Sequence, residues 1–181
     1  MSLSWFIIRG SGVAAFALIA SALLWGLLTS SRVLGRAVGA KGLQRFHESL
    51  GLGALLATII HIVAVRMDTF VEFTWRDILV PGASQWEPLA TTLGAVGFWS
   101  LAVVTLTFYV KRWIGHDRWR ALHYLAFGTF LASLLHATLA GTDGGNPYLL
   151  GLYLSSLVAI VLLTVIRVVT SVQRSVRSAT G

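Results

Sequence analysis

Residues 47–61 read HESLGLGALLATIIH, and residues 123–136 read HYLAFGTFLASLLH. Each stretch is an almost uncharged apolar run closed at both ends by histidine. A helix that crosses a bilayer needs about 20 mostly apolar residues, and both stretches sit inside runs of that length. Working outward from them, five such runs appear, at about residues 5–28, 43–65, 89–110, 119–140 and 148–166. Pro88 and Pro147 stand just ahead of the third and fifth, where a missing backbone N–H costs little.

Composition agrees with the runs. Of 181 residues, 56% are hydrophobic and only 12% charged, against roughly 25% charged in soluble domains. With a mean hydropathy of +0.77, too little polar surface remains to cover a water-soluble globule. The expected fold is a single all-α transmembrane domain over residues 1–181, a bundle of five helices surrounded by lipid. The first run has no positive segment before it and is too long for a signal peptide, so it is read as a retained helix despite Ala20-Ser21-Ala22. No repeat and no soluble domain are visible.

The net charge of +7 would suggest nucleic acid in a soluble protein; in a membrane protein its distribution decides, and no nucleic-acid partner is expected. Arg32, Arg36, Lys41 and Arg45 lie between runs one and two. Lys111, Arg112, Arg118 and Arg120 lie between three and four, and Arg167, Arg174 and Arg177 follow run five. All fall on one side of a five-helix topology. The other side has Arg9, Arg66 and Arg76 beside Asp68, Glu72, Asp77, Glu87 and Asp143. The positive-inside rule then puts the N-terminus outside and the C-terminus inside a cell (plasma or inner) membrane. Residues 67–87, with Phe70, Phe73 and Trp75, read either as a segment on the outer interface or as an irregular loop. The polar tail from Ser171 is expected to fray.

Ionisable residues inside spanning helices are rare and usually functional. His47 and His61 are 14 residues apart, and His123 and His136 are 13 apart; at 1.5 Å per residue each pair spans about 20 Å. Helices two and four run in the same direction, so His47 is level with His123 and His61 with His136. A porphyrin iron takes axial ligands on opposite faces, and neutral imidazole serves. The absence of cysteine rules out covalent attachment through Cys-x-x-Cys-His and iron–sulfur clusters. The expectation is two non-covalent haem b groups, an inner one on His47/His123 and an outer one on His61/His136, with these four histidines as cofactor and metal ligands.

Helical phase tests that expectation. Fourteen residues return to within about 40° of the starting face, so His47 and His61 share a face with Leu50, Gly51, Ala54 and Thr58, several of them small enough for a flat ring to approach. Thirteen residues leave about 140°. Helix four must therefore bend, distort near Gly128, or meet the two haems from different flanks.

The paired spacings of 14 and 13 resemble the ferric reductase-like transmembrane domain family, the membrane portion of ferric reductases and NADPH oxidases. The stretch Gly115-His116-Asp117-Arg118-Trp119-Arg120-Ala121-Leu122-His123-Tyr124-Leu125-Ala126 resembles the entry to the second ligand helix in bacterial members. His136-Ala137, with Gly141-Thr142-Asp143, resembles its outer end, and Arg9-Gly10-Ser11-Gly12 the start of the first helix. The resemblance implies haem b binding and electron transport across the membrane as an oxidoreductase component. The larger members continue into a flavin and nicotinamide domain, for which this sequence has neither room nor a Gly-rich fingerprint. Electrons are then expected from a separate protein, quinol or a diffusible reductant, and an outer acceptor would be ferric iron, oxygen or a redox protein. No residue is assigned a catalytic role.

Other readings remain at this stage. A cytochrome b subunit with one haem, serving a partner reductase, fits the same family. A metal or proton transporter usually adds intramembrane carboxylates, and Glu48 is the only acid inside an expected span; a structural anchor explains one or two histidines rather than two matched pairs. His116 reads as a solvated turn residue. Arg45, Arg118 and Arg120, and on the other side Arg9 and Arg66, read first as membrane-side anchors and second as partners for haem propionates. Glu48 is expected to pair with Arg45, Phe127 and Phe130 to pack, and Trp5, Trp25, Trp99, Trp113 and Trp119 to pack or anchor.

Overall fold

A computed structural model describes residues 3–31, 40–141 and 146–180. The helices are α1 (Leu3–Ser31), α2 (Ala40–Met67), α3 (Trp75–Leu79), α4 (Pro88–Ile114), α5 (His116–His123), α6 (Leu125–Ala140) and α7 (Pro147–Thr180). There is no strand among the described residues. Five helical stretches are long and apolar enough to cross a membrane: α1, α2, α4, α5 with α6, and α7. The all-α, five-span architecture read from the sequence is therefore present. Arg32, Arg36 and Asp143, and the side chains of Lys41 and Arg174, lie outside the described residues.

Consecutive antiparallel helices form two closely packed hairpins, α1 with α2 and α4 with α6. Side-chain hydrogen bonds pin the first at both ends. Ser4 Oγ donates to Asp68 Oδ1 at 2.8 Å, and Trp25 Nε1 donates to the Leu43 carbonyl at 3.0 Å. The bundle thus has a loop face, carrying residues 67–87, and a turn face, carrying the α4–α5 junction. Of the five spans, α1 is the most enclosed. Its Phe16 meets Tyr153 of α7 edge-on at 4.8 Å and Phe130 of α6 at 5.8 Å, and Ile19, Leu23 and Leu27 continue the core toward Leu101, Leu134 and Ile160. Phe130 packs, as expected from the sequence. The outward faces are apolar: Leu56, Ile60 and Val63 of α2 and Val158, Leu162 and Val165 of α7 are exposed, as lipid-facing residues must be.

Three features differ from the sequence reading. Residues 67–87 are not simply an irregular loop, because they contain α3. Thr74 caps it: Asp77 N–H donates to Thr74 Oγ1 at 3.3 Å, while Thr74 N–H and Oγ1–H donate to Asp77 Oδ2 at 2.9 and 2.6 Å, a reciprocal capping box. Trp99 Nε1 donates to the Leu79 carbonyl at 2.8 Å and Gly82 N–H to Thr92 Oγ1 at 2.9 Å, so α4 holds the segment. Second, the tail from Ser171, expected to fray, is helical: α7 continues to Thr180, roughly 50 Å of helix at 1.5 Å per residue. Third, the fourth span breaks at Tyr124 rather than at Gly128. Tyr124 N–H bonds to the Ala121 carbonyl and Phe127 N–H to the Tyr124 carbonyl, both at 3.2 Å; these are three-residue steps, tighter than the α-helical four. Gly128 sits inside α6 with open space where a Cβ would stand. The α4–α5 corner turns at Gly115, whose φ of 87° favours glycine.

The hydrogen bonds from Thr74 hold the Asp77 carboxyl below the usual carboxylate range, with the Thr74 side chain the largest cause. A depressed value in the folded state means that this contribution to α3 is complete above the ordinary carboxylate pKa and is lost as pH falls through the folded one. Amide exchange of residues 75–79 should accelerate in that acidic window, and Asp77→Asn should abolish the pH step. Thr74→Ala should speed exchange about fivefold at neutral pH, as loss of a roughly 1 kcal/mol cap implies; unchanged exchange in both variants would show that Trp99 alone holds α3.

Candidate functional site: two histidine pairs between the hairpins

Each ligand-type histidine sits on the inner side of a hairpin and faces the other hairpin. Near the turn face, the rings of His47 (α2) and His123 (the end of α5) have centres 5.9 Å apart at 67°. Near the loop face, those of His61 (α2) and His136 (α6) are 6.3 Å apart at 82°. The two pairs are stacked about 20 Å apart along α2. The chain therefore brings together four residues from two helical spans as two cross-hairpin pairs.

The loop-face pair is seated on backbone. Nδ1 of His61 lies 2.9 Å from the Ile8 carbonyl of α1, and Nδ1 of His136 lies 2.7 Å from the Ala90 carbonyl of α4. Glycine makes these approaches possible. A Cβ at Gly12 would stand 3.1 Å from His61 Nδ1, and one at Gly94 2.8 Å from His136 Nδ1. In α1, Gly26 stands to His47 as Gly12 does to His61, with a Cβ falling 3.3 Å from the His47 ring. Gly12 and Gly26 are 14 residues apart, as are His47 and His61, so one antiparallel register aligns both pairs.

The turn-face pair is more open. The Ala22 backbone lies beside His47, yet the Nδ1 atoms of His47 and His123 are buried and make no hydrogen bond. Trp119, one turn before His123, stacks on its ring at 5.1 Å and 30°, and its own buried Nε1 is likewise without an acceptor. A cavity of about 500 Å³ adjoins this pair. Gly51 and Ala54 of α2 form part of its wall, as the small-residue face of that helix suggested, with Leu101, Phe108 and Phe127. Its polar lining includes Glu48, Lys111, Arg120 and Arg167.

His116, read as a solvated turn residue, is exposed but also lines this cavity, 5.5 Å from Trp119. Glu48 accepts a hydrogen bond from Tyr109 Oη of α4 at 2.7 Å, a link across helices in place of the ion pair with Arg45 expected from the sequence. Arg120 is at the cavity, whereas Arg45 and Arg118 are not part of its lining. Arg9 lies over the Trp5 ring at 4.3 Å. Sequence reasoning gave no role to Gly26 or Gly94, and Gly12 entered only within a family-like stretch. The equal 14-residue spacings of Gly12–Gly26 and His47–His61 were the available signal.

The donor set limits what metal chemistry is possible. Among the described residues, no three His, Cys, Asp or Glu side chains are grouped to hold an ion, whereas a protein zinc site uses three or four such ligands. Two imidazoles supply only a pair of ligands. With metal–nitrogen bonds of about 2 Å, ring centres 5.9 and 6.3 Å apart would leave room for one metal between the imidazoles of each pair. The residues fit a metal whose other ligands come from a macrocycle. The chain matches no protein-family model, no curated protein and no solved structure.

Packing predicts opposite effects for two glycines. Gly94→Ala drives a methyl into the His136 ring and should lower unfolding stability in detergent by about 1–3 kcal/mol. Gly128→Ala meets open space and should be neutral or stabilising by up to about 1 kcal/mol. Thermal melts of the two variants beside the parent chain check both; a destabilised Gly128→Ala would return the distortion of the fourth span to that residue.

Proposed function

We propose that the chain is a b-type cytochrome of the membrane that carries electrons from one face of the bilayer to the other, a component akin to the ferric reductase-like family. His47 and His123 would hold one haem b non-covalently and His61 and His136 a second. The observation that carries this reading is the recurrence, at two depths, of a cross-hairpin imidazole pair with ring centres 5.9 and 6.3 Å apart, a spacing that would let both imidazoles of a pair hold one metal. The cavity beside the turn-face pair, walled by small and aromatic residues, supports it.

When bound, an iron porphyrin supplies one-electron oxidation and reduction. The chain's own residues do the rest. The imidazoles fix two sites at separate depths, and the apolar spans exclude water. At the turn face, Lys111, Arg120 and Arg167 offer cations, and Trp119 an unused N–H, to the carboxylates of a ligand in the cavity. Charge-assisted contacts of this kind are among the stronger hydrogen bonds. The positive-inside distribution supports a cytoplasmic turn face, and the donor, a separate protein or quinol, would then act there. The acceptor, ferric iron, oxygen or a redox protein, would act at the loop face.

Pyridine haemochrome analysis of purified protein, made with adequate haem supply, should give close to two haems b per chain, and a reduced-minus-oxidised spectrum should show b-type bands. His61→Ala and His136→Ala should each remove one haem and leave the other; His47→Ala and His123→Ala should remove the complementary one. One haem in the parent chain would favour a subunit serving a partner reductase. A colourless protein would overturn the reading.

A further inference from the structure

An α-helical carbonyl at position i already accepts from the N–H at i+4, and it keeps a second lone pair. The side chain at i+4 lies one turn above residue i on the same face and leans back toward it, so it ordinarily covers that lone pair. At two places here the covering residue is glycine and a histidine from the partner helix of the hairpin takes the exposed carbonyl. Ile8 is four residues before Gly12, and Ala90 is four residues before Gly94. The acceptors lie 2.9 Å from His61 Nδ1 and 2.7 Å from His136 Nδ1. A carbonyl only accepts, so each Nδ1 must carry the proton, and the lone pair of each neutral ring is left on Nε2.

We propose that Gly12 and Gly94 are positioning residues that lock His61 and His136 in the Nδ1–H form on the Ile8 and Ala90 carbonyls and make them the stronger donor pair of the chain. The turn-face pair is held less closely: His47 lies beside the Ala22 backbone, four residues before Gly26, but its Nδ1 falls outside hydrogen-bond geometry, and the buried Nδ1 of His123 has no partner. A hydrogen bond from the distal ring nitrogen raises the basicity of the ligating one, and a more basic axial ligand favours the oxidised metal. The two sites are therefore electronically unlike, and each hydrogen bond lowers the reduction potential of the loop-face site. This second half rests on the haem reading above; the first half does not.

The test uses the purified full chain with ¹⁵N-labelled histidine, held reduced so that any haem iron is diamagnetic. Ring N–H protons of His61 and His136 should appear downfield and resist exchange with solvent, while those of His47 and His123 should not show the downfield shift. Gly94→Ala should make the His136 proton exchange about tenfold faster, the loss of one hydrogen bond of ordinary strength. Gly12→Ala should do the same to His61 alone. Gly10→Ala, where a Cβ meets open space, should alter neither. Should a glycine variant fail to fold, the parent spectrum decides: a His61 or His136 ring without a hydrogen-bonded Nδ1–H overturns the assignment. Spectroelectrochemical titration then reads the consequence. In Gly12→Ala and Gly94→Ala with both haems retained, one midpoint potential should rise and the other stay fixed. Protected protons in a chain that binds no haem would sink the haem reading and leave the positioning role standing. Two haems without protected protons would do the reverse, and protected protons with potentials unmoved by the variants would overturn the electronic half.

Discussion

The approach of an imidazole ring to the backbone of a neighbouring helix is the constraint on which the rest of this bundle depends. A histidine inside a membrane span has no water to satisfy its N–H, and a buried donor without a partner costs about 1–3 kcal/mol. At the loop face the cost is met by carbonyls that are already part of a helix, and only a glycine gives the ring access to them. That fixes which helices pair and how closely. The axes of α1 and α2, and of α4 and α6, must come near enough for a ring to touch main chain, and these are the most tightly joined pairs in the bundle. Each hairpin then offers its histidines outward from a support helix, toward the histidines of the other hairpin.

The break at Tyr124 answers the phase problem of the second ligand helix. On a straight α-helix, positions 13 apart point about 140° away from each other. A step of three residues per turn adds roughly 20° per residue over the α-helical 100°, and the two i→i−3 hydrogen bonds around Tyr124 place several such steps between His123 and His136. No comparable device is needed in α2, where 14 residues nearly complete four turns and the helix runs unbroken from Ala40 to Met67.

Much of this was legible in the chain. Five apolar runs gave the spans, and their order forces α2 and the fourth span to be parallel, which sets His47 level with His123 and His61 level with His136. The limits of legibility are physical. The sequence shows that helix four must deviate but not where: Gly128 is the residue of low helix propensity, and Tyr124 yields because a tight turn forms beside it. The capping box of α3 was visible as Thr74-x-x-Asp77, yet a five-residue helix has no hydrophobic period to announce it. Gly12, Gly26 and Gly94 look like ordinary membrane-helix glycines until the hairpin register is known. Only then does their spacing align with that of the histidines.

The two histidine pairs differ in a way that follows from the ends of the bundle they occupy. At the loop face the opening turns of the two support helices lie against the rings, and the carbonyls of Ile8 and Ala90 meet His61 and His136. At the turn face the chain turns at Gly115 into α5, which ends at His123, and residues near that corner, Lys111, His116, Trp119 and Arg120, line the cavity with Arg167 of α7. One pair is therefore held by main chain, in fixed geometry and without mobile charge. The other is surrounded by long cationic side chains that can adjust to an anionic ligand. In a protein proposed to carry electrons between two faces, this division gives each end a separate means of setting its site: backbone hydrogen bonds at one, side-chain charge at the other.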